Sequence, residues 1–150
     1  MPENKQKEQA RILGIDFGLK RVGMALSDPL RIFAYPYQTL SNDKNLWNEI
    51  KKIIDEKNVE KIILGYPLRE NGLKSQVTEE IEKFQKDLKS RFRIEVILWD
   101  ETFTSAMANE RILESVPKKS KRKDKGLIDR HAASIVLQEY LNSILKDGSV

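Results

Sequence analysis

A chain of 150 residues with a formal net charge of +4 and 33% charged side chains has the make-up of a soluble globular protein, large enough for one three-layer α/β core. It has no cysteine and a single histidine, His131, which excludes disulfides, thiolate metal sites and cysteine nucleophiles and leaves little scope for a Ser-His-Asp triad. No apolar run is long enough to span a membrane, and any chemistry has to run on carboxylates, hydroxyls, Lys and Arg.

Residues 1–10 read as a frayed polar tail without the apolar core of a signal peptide, which makes the cytoplasm the default compartment; 11–146 read as a single domain. Ile12 to Phe17 alternates as a strand, with Leu13, Ile15 and Phe17 on one face and Ile12, Gly14 and Asp16 on the other. Gly18 permits a tight turn, and Val22, Met24 and Leu26 alternate again. Gly14, Gly23 and Ala25 leave little side chain on one face, so a ligand or another backbone can come close. Arg31 to Leu40 carries β-formers interrupted by Pro36, which predicts a short edge strand closing an antiparallel meander. Ser41 or Asn42 then caps a helix with the stripe Leu46, Trp47, Ile50, Ile53 and Ile54, which stops near Asn58.

Lys61 to Gly65 is a continuously apolar strand of the kind buried on both faces. A loop through Pro67 and Asn71-Gly72 leads to a helix marked by Val77, Ile81, Phe84 and Leu88. Arg93 to Trp99 is a further strand, ending at Asp100-Glu101, and Thr104 or Ser105 starts a helix through about Ser115. Pro117 to Lys125 has no apolar residue beyond the proline and reads as a mobile loop hinged at Gly126. The last helix has a broad apolar surface, from Ile128 to Leu145, and is predicted to be substantially buried. This order gives a five-stranded mixed sheet, an antiparallel meander plus parallel strands, with helices on both faces.

Asp16 ends an apolar strand, where a charge is costly unless something pairs with it, although Asp beside Gly is also ordinary turn chemistry. Asp100 and Glu101 follow the apolar Ile97-Leu98-Trp99, at the carboxyl end where α/β sheets gather ligands; either also suits a helix cap. Asp129 is placed in the first turn of the last helix, sharing a face with Ala133 and Val136, where an acid also complements the helix dipole. Three acids at element ends, each bordering an apolar run, are harder to explain as unrelated caps than any one alone. Carboxylates without His or Cys suit hard, oxygen-preferring cations, Mg²⁺ or Mn²⁺. Two such ions about 4 Å apart serve phosphodiester hydrolysis without a histidine base.

The basic run Lys118, Lys119, Lys121, Arg122, Lys123 and Lys125 directly precedes Asp129. A charge run is usually a solvated face. Beside an acid cluster, however, it is also what a polyphosphate substrate requires, and Arg21 and Arg69 at the ends of other elements extend it. Trp47 and Trp99 read as core side chains rather than base-stacking platforms.

IDFGLKRVGMALSDPL, LGYPLRENG, DETFTS and KGLIDRHAASIVLQEYL occur in that order and cover nearly all of Arg11 to Leu141. As a set they resemble the YqgF/RuvX family of bacterial Holliday junction resolvases, also described as nucleases of precursor ribosomal RNA. The resemblance implies an RNase H-like fold and a metal-dependent nuclease acting on structured nucleic acid, RNA or branched DNA. It implies metal-binding, catalytic acids at Asp16, Glu101 and Asp129, with Glu101 preferred over Asp100. It also raises the expectation of a homodimer, for which no sequence feature marks an interface. One departure stands out: family members usually carry Arg and Leu after the Asp-Glu pair, where this chain has Thr102 and Phe103. Asp16-Phe17-Gly18 also resembles the first phosphate loop of the actin, Hsp70 and sugar-kinase superfamily, but no second copy appears for the paired domain that clamps ATP there. A nucleic-acid-binding protein without catalysis is the third class, and the presence of all three acids argues against it.

Overall fold

The computed structural model describes residues 10–67, 76–101, 110 and 125–147. Strands β1 (Arg11–Phe17), β2 (Arg21–Ser27) and β3 (Ala34–Ser41) form the antiparallel meander. Helix α1 (Leu46–Lys57) leads to β4 (Val59–Tyr66), parallel to β1, and helix α2 (Gln76–Phe92) leads to β5 (Glu95–Asp100), parallel to β4. Helix α3 (Lys125–Lys146) follows. The sheet order is β3-β2-β1-β4-β5, so β1 is central.

The period-2 alternation of β1 separates two cores. Leu13, Ile15 and Phe17 join Val22, Met24, Leu26, Ile62 and Leu64 under Leu46, Ile50 and Ile53 of α1 and Ile81, Phe84 and Leu88 of α2. Ile12, Ala25 and Ile63 face the other way, against Ala133, Val136, Leu137, Tyr140 and Leu141 of α3. Each fully buried Leu or Ile contributes about 1.5–3 kcal/mol, so both layers are strongly held to the sheet. Trp47 stacks against Phe84 at 5.2 Å between centroids, and Trp99 meets Tyr140 edge-on at 5.6 Å, both packed against the cores. A Cβ on Gly14 would lie 2.8 Å from Leu137 Cβ and 2.9 Å from the Ala133 carbonyl. The close approach that this glycine permits is therefore made by the α3 backbone.

Pro36 sits on the edge strand at an irregularity: Met24 pairs with Gln38 and Ala25 with Pro36, so one residue of β3 is extra. Asn58 ends α1 in the left-handed conformation, at φ 52°, and its N–H donates to the Ile54 carbonyl.

Two local expectations are corrected. Neither Ser41 nor Asn42 caps α1. Ser41 is the last residue of β3, and the Asn42 side chain donates to the Gly18 carbonyl at 2.9 Å. Asn45 occupies the cap position instead, without a side-chain cap bond. Helix α3 also begins earlier than the composition indicates: Lys125 is helical and Gly126, read as a hinge, is buried within the first turn. The Gly126 carbonyl accepts a hydrogen bond from Thr39 Oγ1 of the edge strand, which ties down this glycine. The helix expected from Thr104 or Ser105 to Ser115 and the loop at 117–124 lie outside the described residues, apart from Glu110, which is helical. Among the described residues, no helix is long and apolar enough to cross a membrane.

Candidate active site

Asp16 lies near the carboxyl end of β1, on the face that α3 covers, and its cross-strand partner on β2 is Gly23. On the other side, Ile15 pairs with Leu64, so the next position along β4 is Gly65. Asp16 is thus flanked by a glycine on each neighbouring strand, and each gap is filled by part of the site. A Cβ on Gly23 would fall 2.1 Å from the carbonyl oxygen of Asp129. A Cβ on Gly65 would fall 2.5 Å from Glu101 Oε2. The two glycines let the Asp129 turn of α3 settle onto β2 and the Glu101 side chain lie across β4.

Glu101 follows β5 directly and is oriented by the strand beside it, its N–H donating to the Tyr66 carbonyl at 3.0 Å. Its carboxyl group lies in hydrogen-bond contact with that of Asp16. The carboxyl group of Asp16 is held well above the usual carboxylate range, first by burial, then by the Glu101 hydrogen bond and charge, and then by the charge of Asp129. Glu101 rather than Asp100 therefore makes this contact.

Asp129 is close enough for its charge to act on Asp16, but its own carboxylate is paired with Arg21, Nε to Oδ2 at 2.7 Å. Because α3 starts at Lys125, Asp129 stands in the second turn, beyond the reach of most of the dipole benefit that a first-turn acid receives. Helix capping therefore accounts poorly for it. Among the described residues, no three acids already face one another as a complete ligand set. Asp16 and Glu101 touch, and Asp129 is turned toward Arg21.

Of the basic residues singled out from the sequence, Arg21 starts β2 beside the acids, and Lys125 is the exposed first residue of α3. Arg69, Lys118, Lys119, Lys121, Arg122 and Lys123 lie outside the described residues, as do Thr102 and Phe103. The sequence reading marked Gly23 only as a gap, and it missed the parts played by Gly65 and Asn42. Gly65 is signalled by a glycine closing an otherwise apolar strand. Asn42 fixes the β1–β2 turn next to Asp16: its side chain donates to the Gly18 carbonyl at 2.9 Å and its N–H to the Lys20 carbonyl at 2.9 Å.

A mixed sheet in the order 3-2-1-4-5, with acids at the ends of its first and fifth strands and a third on the closing helix, defines a domain of the RNase H-like class. The fowlpox virus resolvase in complex with Holliday junction DNA has this fold, with a TM-score of 0.57, 20% identity and coverage of 90% of this chain and 99% of that one. The RuvC of Thermus thermophilus in complex with a Holliday junction also matches, with a TM-score of 0.57, 12% identity and coverage of 93% and 97%. The chain belongs to the RuvX family, whose model, described as Holliday junction resolvase, matches residues 10–143. Its relatives include proteins named "Putative pre-16S rRNA nuclease". The one from Syntrophus aciditrophicus is 40% identical over 140 residues, 91% of each chain, and the one from Salinibacter ruber is 37% identical over 135 residues, 89% of this chain and 94% of that one.

Proposed function

We propose that the acid-bearing end of the sheet is the catalytic centre of a divalent-metal-dependent nuclease, within a single domain spanning 11–146, that hydrolyses phosphodiester bonds of structured nucleic acid. Membership of the RuvX family makes the chain a phosphodiester-cleaving enzyme rather than half of an ATP clamp. The observation that carries the site is the contact of Asp16 with Glu101 in the field of Asp129. Asp16 is held above the usual carboxylate range by burial and then by Glu101 and Asp129, so a cation at this end of the sheet would relieve the repulsion among the three acids. An all-oxygen donor set without His or Cys suits Mg²⁺ or Mn²⁺, so the residues fit such an ion.

Asp16, Glu101 and Asp129 would hold the cation. When bound, it supplies charge neutralisation at the phosphate and activation of water. The chain itself does the positioning. Gly23 and Gly65 admit the outer acids to Asp16, and the Tyr66 carbonyl fixes the backbone of Glu101. The run from Lys118 to Lys125, with Arg69, draws in the phosphate backbone through its positive field. The relatives' names support precursor ribosomal RNA as substrate, and the family description supports branched DNA. The deciding assay is Mg²⁺- or Mn²⁺-dependent cleavage of a structured RNA and a four-way DNA junction of matched length, with Asp16→Asn as control. Cleavage of either by the wild-type chain alone supports the reading. Binding without cleavage of both would favour a non-catalytic nucleic-acid-binding protein.

The basic run is tested separately. Replacing Lys119, Lys121, Arg122 and Lys123 with Gln is expected to change stability by less than about 0.5 kcal/mol, since the segment has almost no apolar content. If all four contact phosphates, the slope of log affinity against log salt flattens by about 3.6 on duplex or about 2.8 on single strands. The loss should be similar across sequences, because phosphate contacts carry no base information. An unchanged salt slope, with cleavage also unaffected, returns the run to an ordinary solvated segment.

A further inference from the structure

We infer that Arg21 is an exchangeable counter-ion: it holds Asp129 while the site lacks its divalent cation, and it transfers to a substrate phosphate when the cation takes that carboxylate. The inference rests on the metal-dependent reading above and adds a positioning residue to it.

The geometry constrains the backbone of Arg21 and leaves its side chain adaptable. Arg21 pairs with Ser41 at the start of β2, and the turn before it is pinned by both Asn42 bonds, to the Gly18 and Lys20 carbonyls. A Cβ on Gly18 would lie 2.5 Å from the Arg21 carbonyl oxygen, so the turn has no slack. From this fixed point the side chain reaches Asp129 through Nε alone, at 2.7 Å. Among the described residues, its two terminal amino groups make no other hydrogen bond or ion pair. The Arg21 side chain keeps 38% of its surface exposed and that of Asp129 keeps 20%. A guanidinium held through its inner nitrogen leaves two terminal amino groups as donors suited to a phosphate in bidentate fashion.

The same pairing explains why the three acids do not yet form a complete ligand set. Asp129 Oδ2 is engaged by Arg21, while Asp16 and Glu101 meet each other. A divalent ion on all three carboxylates and a guanidinium on Oδ2 would place like charges side by side. A cation on Asp129 weakens the hold of its carboxylate on Arg21, whose part-exposed side chain is then available to a phosphate drawn to the same end of the sheet. This couples site assembly to substrate: metal-free, Asp129 stays neutralised; metal-loaded, Arg21 is released to clamp the nucleic acid.

Two measurements on the full chain test the exchange. The first is calorimetric titration of Mn²⁺ into the wild type and Arg21→Gln, with Arg21→Lys as the charge-retaining comparison and as the substitute should the Gln variant not fold. Loss of a part-exposed ion pair that competes with the metal is expected to tighten Mn²⁺ binding about two- to fivefold in Arg21→Gln, with Arg21→Lys staying near wild type. The second follows the Nε–H resonance of Arg21, assigned by its absence in Arg21→Lys, as Mg²⁺ is added. It is expected to be protected from solvent exchange without metal and to lose that protection as Mg²⁺ binds. Unchanged or weaker Mn²⁺ binding in Arg21→Gln overturns the exchange, since Arg21 would then be neutral toward the metal or would help to present Asp129 to it. Tighter binding with an Arg21 resonance that Mg²⁺ leaves untouched also overturns it, because removal of a nearby positive charge would then be the whole effect. Failure of the wild type and both variants to bind Mn²⁺ removes the metal site itself, and the inference with it.

Discussion

Asp16→Asn is expected to reduce metal-dependent cleavage by about 10³-fold or more while leaving nucleic-acid affinity nearly intact. The carboxyl group that the substitution replaces lies in contact with Glu101 and in the field of Asp129, whereas phosphate contacts are expected from Lys and Arg, which it leaves untouched. Stability should move the other way. Burial and the neighbouring acids raise the proton affinity of Asp16 in the folded chain above its value of 3.8 in the unfolded one. In acid both states are protonated and no penalty exists. As pH rises above 3.8 the unfolded chain gives up its proton while the folded chain keeps its own, so stability falls until the raised folded value is passed. The metal-free Asn variant is therefore expected to be more stable than wild type at neutral pH, with the gain vanishing in strong acid. Thermal unfolding across pH with a chelator present checks this. A variant that cleaves at the wild-type rate, or that melts earlier at neutral pH, contradicts the placement of Asp16.

Gly23→Ala is the substitution expected to damage the fold most for the fewest atoms added. Its new methyl group would lie 2.1 Å from the Asp129 carbonyl oxygen and 2.9 Å from the Arg130 nitrogen, both backbone atoms of a helix packed along its length. Neither can rotate aside as a side-chain tip would, so α3 has to lift off β2. We expect a loss of about 3 kcal/mol or more, near the upper end of overpacking costs, and a fall in Tm of about 10 °C or more. Cleavage should fall as well, because Asp129 moves with the helix. An Ala variant melting within about 2 °C of wild type would show that the helix does not sit on this glycine as described.

Much of the fold was legible because its signals are local. The alternation of Ile12 to Phe17, the α1 and α2 stripes and the apolar run before Gly65 each assign an element from its own residues, and the β-β-β-α-β-α-β order leaves few sheet arrangements. The cap of α1 is not legible because Asn42 is a good capping residue whose side chain is committed to the Gly18 carbonyl, a contact that depends on the meander having formed. The start of α3 is not legible because a lysine-rich segment resembles a loop, whereas Lys125 and Gly126 are helical and the Gly126 carbonyl accepts from Thr39 on the edge strand.

For the candidate site, residue types and strand ends drew attention to the acids, but their relations could not be read along the chain. That Asp16 stands between Gly23 and Gly65 follows from register, which is a property of paired strands. The Arg21–Asp129 pair spans 108 positions and joins a residue read as a phosphate contact to one read as a metal ligand. Nothing in the local sequence of either indicates that they meet.

The most direct test of the central claim, that Asp16, Glu101 and Asp129 form one divalent-metal site, is anomalous diffraction from crystals of the full chain soaked in Mn²⁺. A strong peak bound by the Asp16 and Glu101 carboxylates is expected, with Asp129 released from Arg21 toward it. A peak held by other residues, or none between Asp16 and Glu101 at saturating Mn²⁺, would contradict it.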